Sequence, residues 1–279
     1  MNNTNGLLLN RIFSRNTFRE ILDFGYSKTY LATVKKYITN IDNMTNSECF
    51  SEIYNILKKQ YQNEYYYKNT LLNKLLLGVH STKTTIAITE LPIGKAKADF
   101  VLINGKAVVY EIKTELDNFD RLKSQIENYY KAFTRIVVVT SENNYLELER
   151  LLKDTKVGIC ILTRRGHLSI RKKPEENKQF LSKKTIFKIL RKNEYESIIK
   201  KVYGKLPNES QFEIYNACKK MFEDIDTDLA YQEFIKILKT RKRIESDLYQ
   251  NIPYELKSVI YFLDLKRKDY QKLYTFLNN

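Results

Sequence analysis

The sequence predicts an α/β fold with helical segments before and after it in the chain. Short β-branched apolar runs are confined to residues 84–162, whereas the flanking regions place apolar side chains three and four residues apart. Two helical stretches separate the later runs, which favours parallel strands joined by crossovers. Hydrophobic residues make up 43% and charged residues 29% of the 279-residue chain. That balance is typical of a globular protein rather than a disordered one.

The first predicted domain is a helical N-terminal segment, residues 1–59. A helical apolar stripe passes through Phe18, Ile21, Leu22, Tyr26, Tyr30, Val34 and Tyr37. Ser47 is the candidate N-cap of a further helix. The next helix contains Glu64, and we expect it to end at Gly78.

The second predicted domain, residues 60–174, is an α/β core with the order helix, three-strand meander, helix, strand, helix, strand. Strand patterns lie at 84–91, 97–103, 107–113, 135–140 and 157–162. We expect helices at 118–133, with Asp117 as N-cap, and at 145–153. The basic segment 164–174 then takes the chain out of the sheet, as a hairpin or as a linker. Residues 175–279 have only helix-period amphipathic patterns and are predicted to form an all-helical C-terminal domain.

Charge and cysteine content limit the partners and the compartment. Lys and Arg exceed Asp and Glu by 48 to 33, a net charge of +15 that favours nucleic acid as partner, although a Lys-rich composition explains it equally well. Three separated cysteines and two histidines supply neither a disulfide framework nor a Cys/His zinc site. We therefore expect a cytoplasmic protein. No apolar run approaches the roughly 18 residues of a membrane span, and the first residues lack a signal-peptide pattern.

The candidate chemistry lies in two adjacent strands. Asp99 opens one strand, and Glu111 and Lys113 end the next one on a common face. Two carboxylates at neighbouring strand ends can share Mg²⁺, for which Mn²⁺ can substitute, and the nearby lysine can then orient or activate a water molecule. Such a site assists phosphodiester hydrolysis without histidine or cysteine. Solvated strand ends are the alternative, because this spacing arises easily in a Lys-rich chain.

The turn between these two strands decides whether the site can form. A two-residue turn at Asn104 and Gly105 would place Asp99 on the face opposite Glu111. A three-residue loop of residues 103–105, which pairs Leu102 with Lys106, restores the common face. We therefore predict an odd-numbered loop or a bulge.

The motifs Ala98-Asp99 and Glu111-Ile112-Lys113 resemble those of the PD-(D/E)xK nuclease superfamily, with alanine in place of the usual proline. The resemblance covers about residues 64–162. It implies a restriction-endonuclease-like core, with Asp99 and Glu111 as metal ligands. The chain also looks like an uncharacterised bacterial group of nuclease-like proteins that has NEYxYKN, EIKxExDxxxRLxxQ and a helical C-terminal half; these motifs stand here at 63–69 and 111–125.

Some members of the superfamily add a glutamate on the preceding helix and Q-x-x-x-Y on the following one. The counterparts here are Glu64, as a further metal ligand, and Gln125 with Tyr129, which share a helix face and could point at the metal site or hold a phosphate. Glu64 could instead pair with Lys68 four residues later. Gln125 and Tyr129 could simply border a buried helix face.

These observations predict a metal-dependent nuclease that acts on DNA as an endonuclease, with Lys113 assisting the attacking water. Two alternatives stay open. One is a protein with the nuclease fold that binds nucleic acid or a partner without cleaving it. The other is a nuclease directed at RNA. The basic helical C-terminal half would serve substrate grip or homodimer formation.

Overall fold

A six-stranded mixed sheet lies at the centre of the computed structural model, which describes residues 3–60, 62–78, 84–241 and 246–279. The strands follow chain order across the sheet: β1 (Ile86–Ile93), β2 (Ala96–Asn104), β3 (Lys106–Lys113), β4 (Ile136–Thr140), β5 (Gly158–Leu162) and β6 (Leu168–Lys172). Strands β3, β4 and β5 are mutually parallel, whereas the other neighbouring pairs are antiparallel. The predicted α/β class is confirmed, and the basic segment forms a hairpin that adds β6 to the sheet.

Helices occupy most of the remaining described residues. Before the sheet lie α1 (Asn3–Arg11), α2 (Arg15–Phe24), α3 (Lys28–Tyr37), α4 (Asn46–Gln60) and α5 (Glu64–Leu71), which continues as a π-helical stretch, Leu72–Leu77, up to Gly78. The crossovers are α6 (Leu122–Tyr130) and α7 (Tyr145–Leu152). After the sheet follow α8 (Lys183–Ile189), α9 (Lys192–Tyr203), α10 (Ile214–Asp224), α11 (Thr227–Thr240), α12 (Ser246–Gln250), the 3₁₀ turn Tyr254–Leu256, α13 (Lys257–Leu263) and α14 (Arg267–Asn278).

Two helix starts differ from the sequence prediction. Thr45, rather than Ser47, caps α4, because Thr45 and Glu48 exchange side-chain and backbone hydrogen bonds in a capping box. Asp117 does not cap α6, which begins at Leu122. The Asp117 carboxylate instead accepts hydrogen bonds from the backbone and hydroxyl of Thr114 and closes a turn directly after β3.

The sheet separates two hydrophobic cores. One core joins alternate strand residues such as Phe100 and Val139 to the N-terminal helices and to α13 and α14. The other joins the intervening residues, such as Val101 and Val138, to α6, α7 and α8–α11. The period-2 alternation of strand side chains explains this division. The C-terminal helices are therefore shared between both faces of the sheet, while the predicted domain boundaries stay a prediction.

The hairpin between β2 and β3 has the predicted odd loop. Asn104 pairs with Lys106, so Gly105 alone stands between the paired residues, and its φ of 67° is in the left-handed region that glycine adopts readily. The predicted pairing of Leu102 with Lys106 is wrong, because Leu102 pairs with Val108. The register has the required parity all the same. Continued by one pair beyond Phe100 and Tyr110, it sets Asp99 opposite Glu111.

Candidate functional site

Glu111 is a buried carboxylate in the middle of the sheet. It lies on β3 between β2 and β4 and is 1% exposed. Tyr129 donates a hydrogen bond to its Oε2 at 2.6 Å, and the Gln125 side-chain amide donates to its Oε1 at 2.5 Å. Lys113 Nζ lies 3.2 Å from the same Oε1. These partners offset the cost of burying the charge and fix the orientation of the carboxylate.

Lys113 and Gln125 complete a closed triangle of contacts with Glu111. Lys113 Nζ donates to Gln125 Oε1 at 2.9 Å, while the Gln125 nitrogen donates to Glu111. The Gln125 amide therefore has both of its polar ends engaged. Because Lys113 is only 8% exposed, its ammonium group is confined to the region beside Glu111.

Asp99 lies beside Glu111 and is held by a single backbone contact. Ile112 N–H donates to Asp99 Oδ2 at 2.8 Å. Burial and the neighbouring Glu111 raise the pKa of Asp99 to about 7, although the Ile112 hydrogen bond and Lys68 oppose the rise. No hydrogen bond to Oδ1 is present among the described residues. The two carboxylates thus form a local concentration of negative charge at the junction of β2 and β3.

The edge strand is distorted next to Asp99. Glu90 lies opposite Asp99 in the register of β1 with β2 and has a φ of 55°, which is uncommon for a residue with a side chain. On β1, Ile88 before it and Leu91 after it belong to the same core, so the side-chain alternation shifts by one residue at Glu90. The distortion places a strained backbone position directly beside the carboxylate pair.

Glu64 forms an ion pair with Lys68, the alternative that the sequence offered to a role as metal ligand. The two charged groups are 2.6 Å apart, and the Glu64 side chain is 56% exposed. Lys68 also lies 3.6 Å from Glu90, which is 3.2 Å from Lys97. The partial burial of Glu90 acts to raise its pKa, but Lys68, Lys97 and Arg15 outweigh that effect, so the pKa of Glu90 is lowered. Glu64 influences Asp99 electrostatically, but its carboxylate is engaged by Lys68 at the rim of the site.

A cleft with a volume of about 720 Å³ opens at this rim. Its lining includes Glu64, Lys68, Glu90, Asp117 and Arg15, but neither Asp99 nor Glu111. The cleft is therefore polar, carries charges of both signs and lies beside the buried carboxylate pair. Among the described residues, no cluster of three or more His, Cys, Asp or Glu side chains has the arrangement of a metal site. The pair Asp99 and Glu111 is the strongest oxygen donor set that the predicted residues bring together.

The structure thus brings four of the six predicted residues into one contact network: Glu111, Lys113, Gln125 and Tyr129. Asp99 lies beside this network and is hydrogen-bonded to the backbone of Ile112. Glu64 stands apart at the rim. Sequence reasoning missed the bridging position of Lys68 and the approach of Arg15, whose guanidinium donates to Thr89 at 3.0 Å. No local pattern signals that second contact, because 74 residues separate its partners.

The model of the family described as bacteriophage P4 protein cII matches residues 57–266, three quarters of the chain. The chain belongs to the bacteriophage P4 protein cII family. The matched region runs from the last residues of α4 to the residue before α14 and contains every candidate site residue.

Comparison of the cII family protein with other proteins adds little. No curated protein matches it. Among solved structures, a protein of unknown function from Silicibacter pomeroyi matches with 15% identity and a TM-score of 0.27, over 34% of this chain and 63% of that one. The chain thus spans less than two thirds of that neighbour, and such a likeness carries no functional argument.

Proposed function

We propose that the protein is a metal-dependent nuclease that hydrolyses phosphodiester bonds of DNA. The observation that supports it is the convergence of Asp99, Glu111 and Lys113 at the junction of β2 and β3, with Gln125 and Tyr129 of the crossover helix bonded to Glu111. The order helix, antiparallel meander, crossover helix and parallel strand also fits a restriction-endonuclease-like core.

The donor set fits Mg²⁺, with Mn²⁺ as a substitute. Asp99 and Glu111 are carboxylates on neighbouring strands, and Mg²⁺ is commonly bound by one or two carboxylates together with water and substrate oxygens. When bound, the cation would lower the pKa of a coordinated water and neutralise charge on the phosphoryl group. Glu64 would join the ligand set only by leaving its ion pair with Lys68.

The protein's own residues have separate tasks in this proposal. Tyr129 and Gln125 hold the Glu111 carboxylate in one orientation, since each donates to a different oxygen. Lys113 presents a positive group that can orient the attacking water and stabilise negative charge as it develops. Asp99 keeps Oδ1 available as an oxygen donor while Ile112 holds Oδ2.

A second candidate is a protein of the same fold that binds nucleic acid without cleaving it. One observation favours it: Glu111 already accepts contacts from Tyr129, Gln125 and Lys113. A carboxylate in this state could be satisfied structurally, with Lys113 in place of a metal cation. The two candidates therefore differ in whether a divalent cation binds at all.

The test is cleavage of supercoiled DNA, linear DNA and RNA by purified protein in Mg²⁺, Mn²⁺ or EDTA. We compare wild type with Asp99→Asn and Lys113→Gln, and with the matched exposed substitutions Asp154→Asn and Lys106→Gln. The proposal expects metal-dependent cleavage of DNA that falls by about 10²-fold or more in the two site variants, while the two control variants keep wild-type activity.

Other outcomes separate the candidates. Absence of cleavage, together with DNA binding that does not respond to Mg²⁺, would contradict the nuclease proposal and support the protein that binds nucleic acid without cleaving it. Preferential cleavage of RNA would change the substrate and keep the site.

We also propose a reducing cytoplasmic location, because Cys49, Cys160 and Cys218 are all buried free thiols.

A further inference from the structure

Two clefts on the surface join into one groove beside the edge strand. The cleft of about 720 Å³ at the candidate site and a second cleft of about 400 Å³ are both lined by Arg15, Thr89, Glu90 and Phe262. Because they share these residues, the two clefts are continuous along β1. The groove therefore extends along β1 from the rim of the candidate site to the corner between α8 and α9.

The second cleft is lined by basic residues from the C-terminal helices. Lys188 lies in the last turn of α8, Arg191 precedes α9, and both side chains are exposed. Arg241 also lines the cleft, but it is bound to Glu194 at 2.6 Å and is mostly buried. That ion pair makes Arg241 part of the scaffold, and it leaves Lys188 and Arg191 as the accessible cations of this part of the groove.

Arg15 connects the two clefts. It is exposed at the first position of α2, and its guanidinium contacts the uncharged hydroxyl of Thr89. Among the carboxylates that line the groove, Glu64 and Glu90 are paired with lysines, Asp117 accepts hydrogen bonds from Thr114, and Asp264 is exposed. Arg15, Lys188 and Arg191 form no ion pair with a carboxylate among the described residues. A polyanion in the groove would meet three cations that do not have to break an ion pair.

We propose that the nucleic-acid backbone leaving the candidate site lies in this groove, where Arg15, Lys188 and Arg191 bind its phosphates. This inference rests on the proposed function for the identity of the polyanion. It assigns substrate grip to the α8–α9 corner of the C-terminal helical region. Exposed guanidinium and ammonium groups are the side chains that neutralise phosphates, and each contact adds to the salt dependence of binding.

The test is binding of fluorescein-labelled DNA, as a duplex and as a single strand of the same sequence, measured by anisotropy in EDTA over a range of salt concentrations. The groove variant combines Arg15→Gln, Lys188→Gln and Arg191→Gln. The control variant combines Lys35→Gln, Lys205→Gln and Lys268→Gln, which removes the same charge from exposed positions outside both clefts. Equal midpoints of thermal unfolding for both variants and wild type establish that all three proteins are folded.

We expect the groove variant to bind more weakly and to lose about 0.9 from the slope of log affinity against log salt for each duplex phosphate contact removed. The control variant should lose much less.

Equal loss in both variants, or unchanged binding by the groove variant, would overturn the proposal that the groove binds phosphates, as would failure of the wild-type protein to bind DNA. Parallel cleavage assays in Mg²⁺ separate the two proposals. Cleavage with an unaffected groove variant refutes only the groove, whereas weakened binding without cleavage refutes only the nuclease.

Discussion

Asp99 is held where its negative charge is unfavourable. Burial and Glu111 raise its folded-state pKa to about 7 from an ordinary value of 3.8. Between these values the folded protein holds a proton that the unfolded chain has released, so the stability contributed by this group falls as pH rises. Above about pH 7 Asp99 is charged in both the folded and the unfolded state, and the folded state then bears the full free-energy cost of the buried charge. The charged Asp99 carboxylate beside Glu111 therefore lowers the stability of the folded protein.

This environment predicts that Asp99→Asn stabilises the metal-free protein. Asparagine can still accept the hydrogen bond from Ile112, but it carries no charge. At about pH 8 in EDTA we expect a higher midpoint of thermal unfolding, by roughly 2–4 °C for each kcal/mol recovered. At about pH 4, where the wild-type side chain is largely protonated in the folded state, the gain should vanish. The exposed Asp154→Asn is the control, and an Asp99→Asn midpoint at or below wild type at pH 8 would contradict the prediction.

Tyr129 supports a second prediction at the same scale. Its hydroxyl lies 2.6 Å from Glu111 Oε2 and 2.9 Å from the Lys97 carbonyl oxygen, and burial together with Glu111 raises its pKa. It therefore stays protonated and acts as a positioning residue for Glu111. Tyr129→Phe should lower kcat for DNA cleavage by about 10- to 100-fold and raise the Mg²⁺ concentration needed for half-maximal activity, with little change in KM.

The neighbouring Tyr130→Phe is the matched control, because burial rather than Glu111 accounts for the raised pKa of Tyr130. If both substitutions had the same effect, the Tyr129 hydroxyl would have only a structural role. A loss confined to Tyr129→Phe, with the Mg²⁺ requirement shifted, is what positioning predicts.

At the scale of elements, local patterns predicted the strands and the carboxylate pair well. Asp99, Glu111 and Lys113 belong to one hairpin, and Gln125 and Tyr129 follow within 18 residues of Glu111. Alternation and turn parity are sufficient for contacts this close in sequence. The start of α6 was predicted four residues too early, because the Asp117 side chain closes a turn with Thr114 instead of capping the helix.

The environment of Glu64 shows where local prediction ends. The pairing with Lys68 is a spacing of four on one helix and could be predicted. The contact of Lys68 with Glu90 joins α5 to β1, and that of Arg15 with Thr89 joins α2 to β1. Those contacts depend on how the layers pack. The groove that they line therefore emerges only from the assembled fold.

Gly105 makes a prediction about the hairpin. It is the single residue between the paired Asn104 and Lys106, its φ is 67°, and a Cβ would meet no atom within 4 Å. Substitution therefore costs only the strained backbone conformation. Gly105→Ala should lower the free energy of unfolding by about 1–2 kcal/mol, and Gly105→Asn by less, because asparagine tolerates the left-handed region. Urea denaturation measures both; an equal or larger loss for asparagine would show that space, rather than φ, limits this position.

At the scale of the whole molecule, no helix among the described residues combines the length and the apolar character of a membrane span.

Helices from the two ends of the chain cover the same face of the sheet. The core beneath the N-terminal helices is completed by α13 and α14, more than 180 residues later in the chain, whereas α8–α11 cover the other face of the sheet. The sheet contributes side chains to both cores. A loss of packing on one face should therefore reach the other face through shared strands.

This arrangement predicts a single cooperative unfolding transition. Leu273 on α14 and Phe234 on α11 are both fully buried, one in each core. Leu273→Ala should cost about 2–5 kcal/mol and Phe234→Ala about 3–5 kcal/mol, and each should shift the same transition in urea, followed by far-UV circular dichroism and by tyrosine fluorescence. Leu229→Ala on the exposed face of α11 should change the midpoint little. If residues 175–279 were a separate domain, as the helical periodicity predicts, two transitions would appear, and Phe234→Ala would move only one of them. One shared transition would instead mean that the α8–α9 corner and the carboxylate pair belong to one cooperative folding unit, as expected if both contribute to one groove.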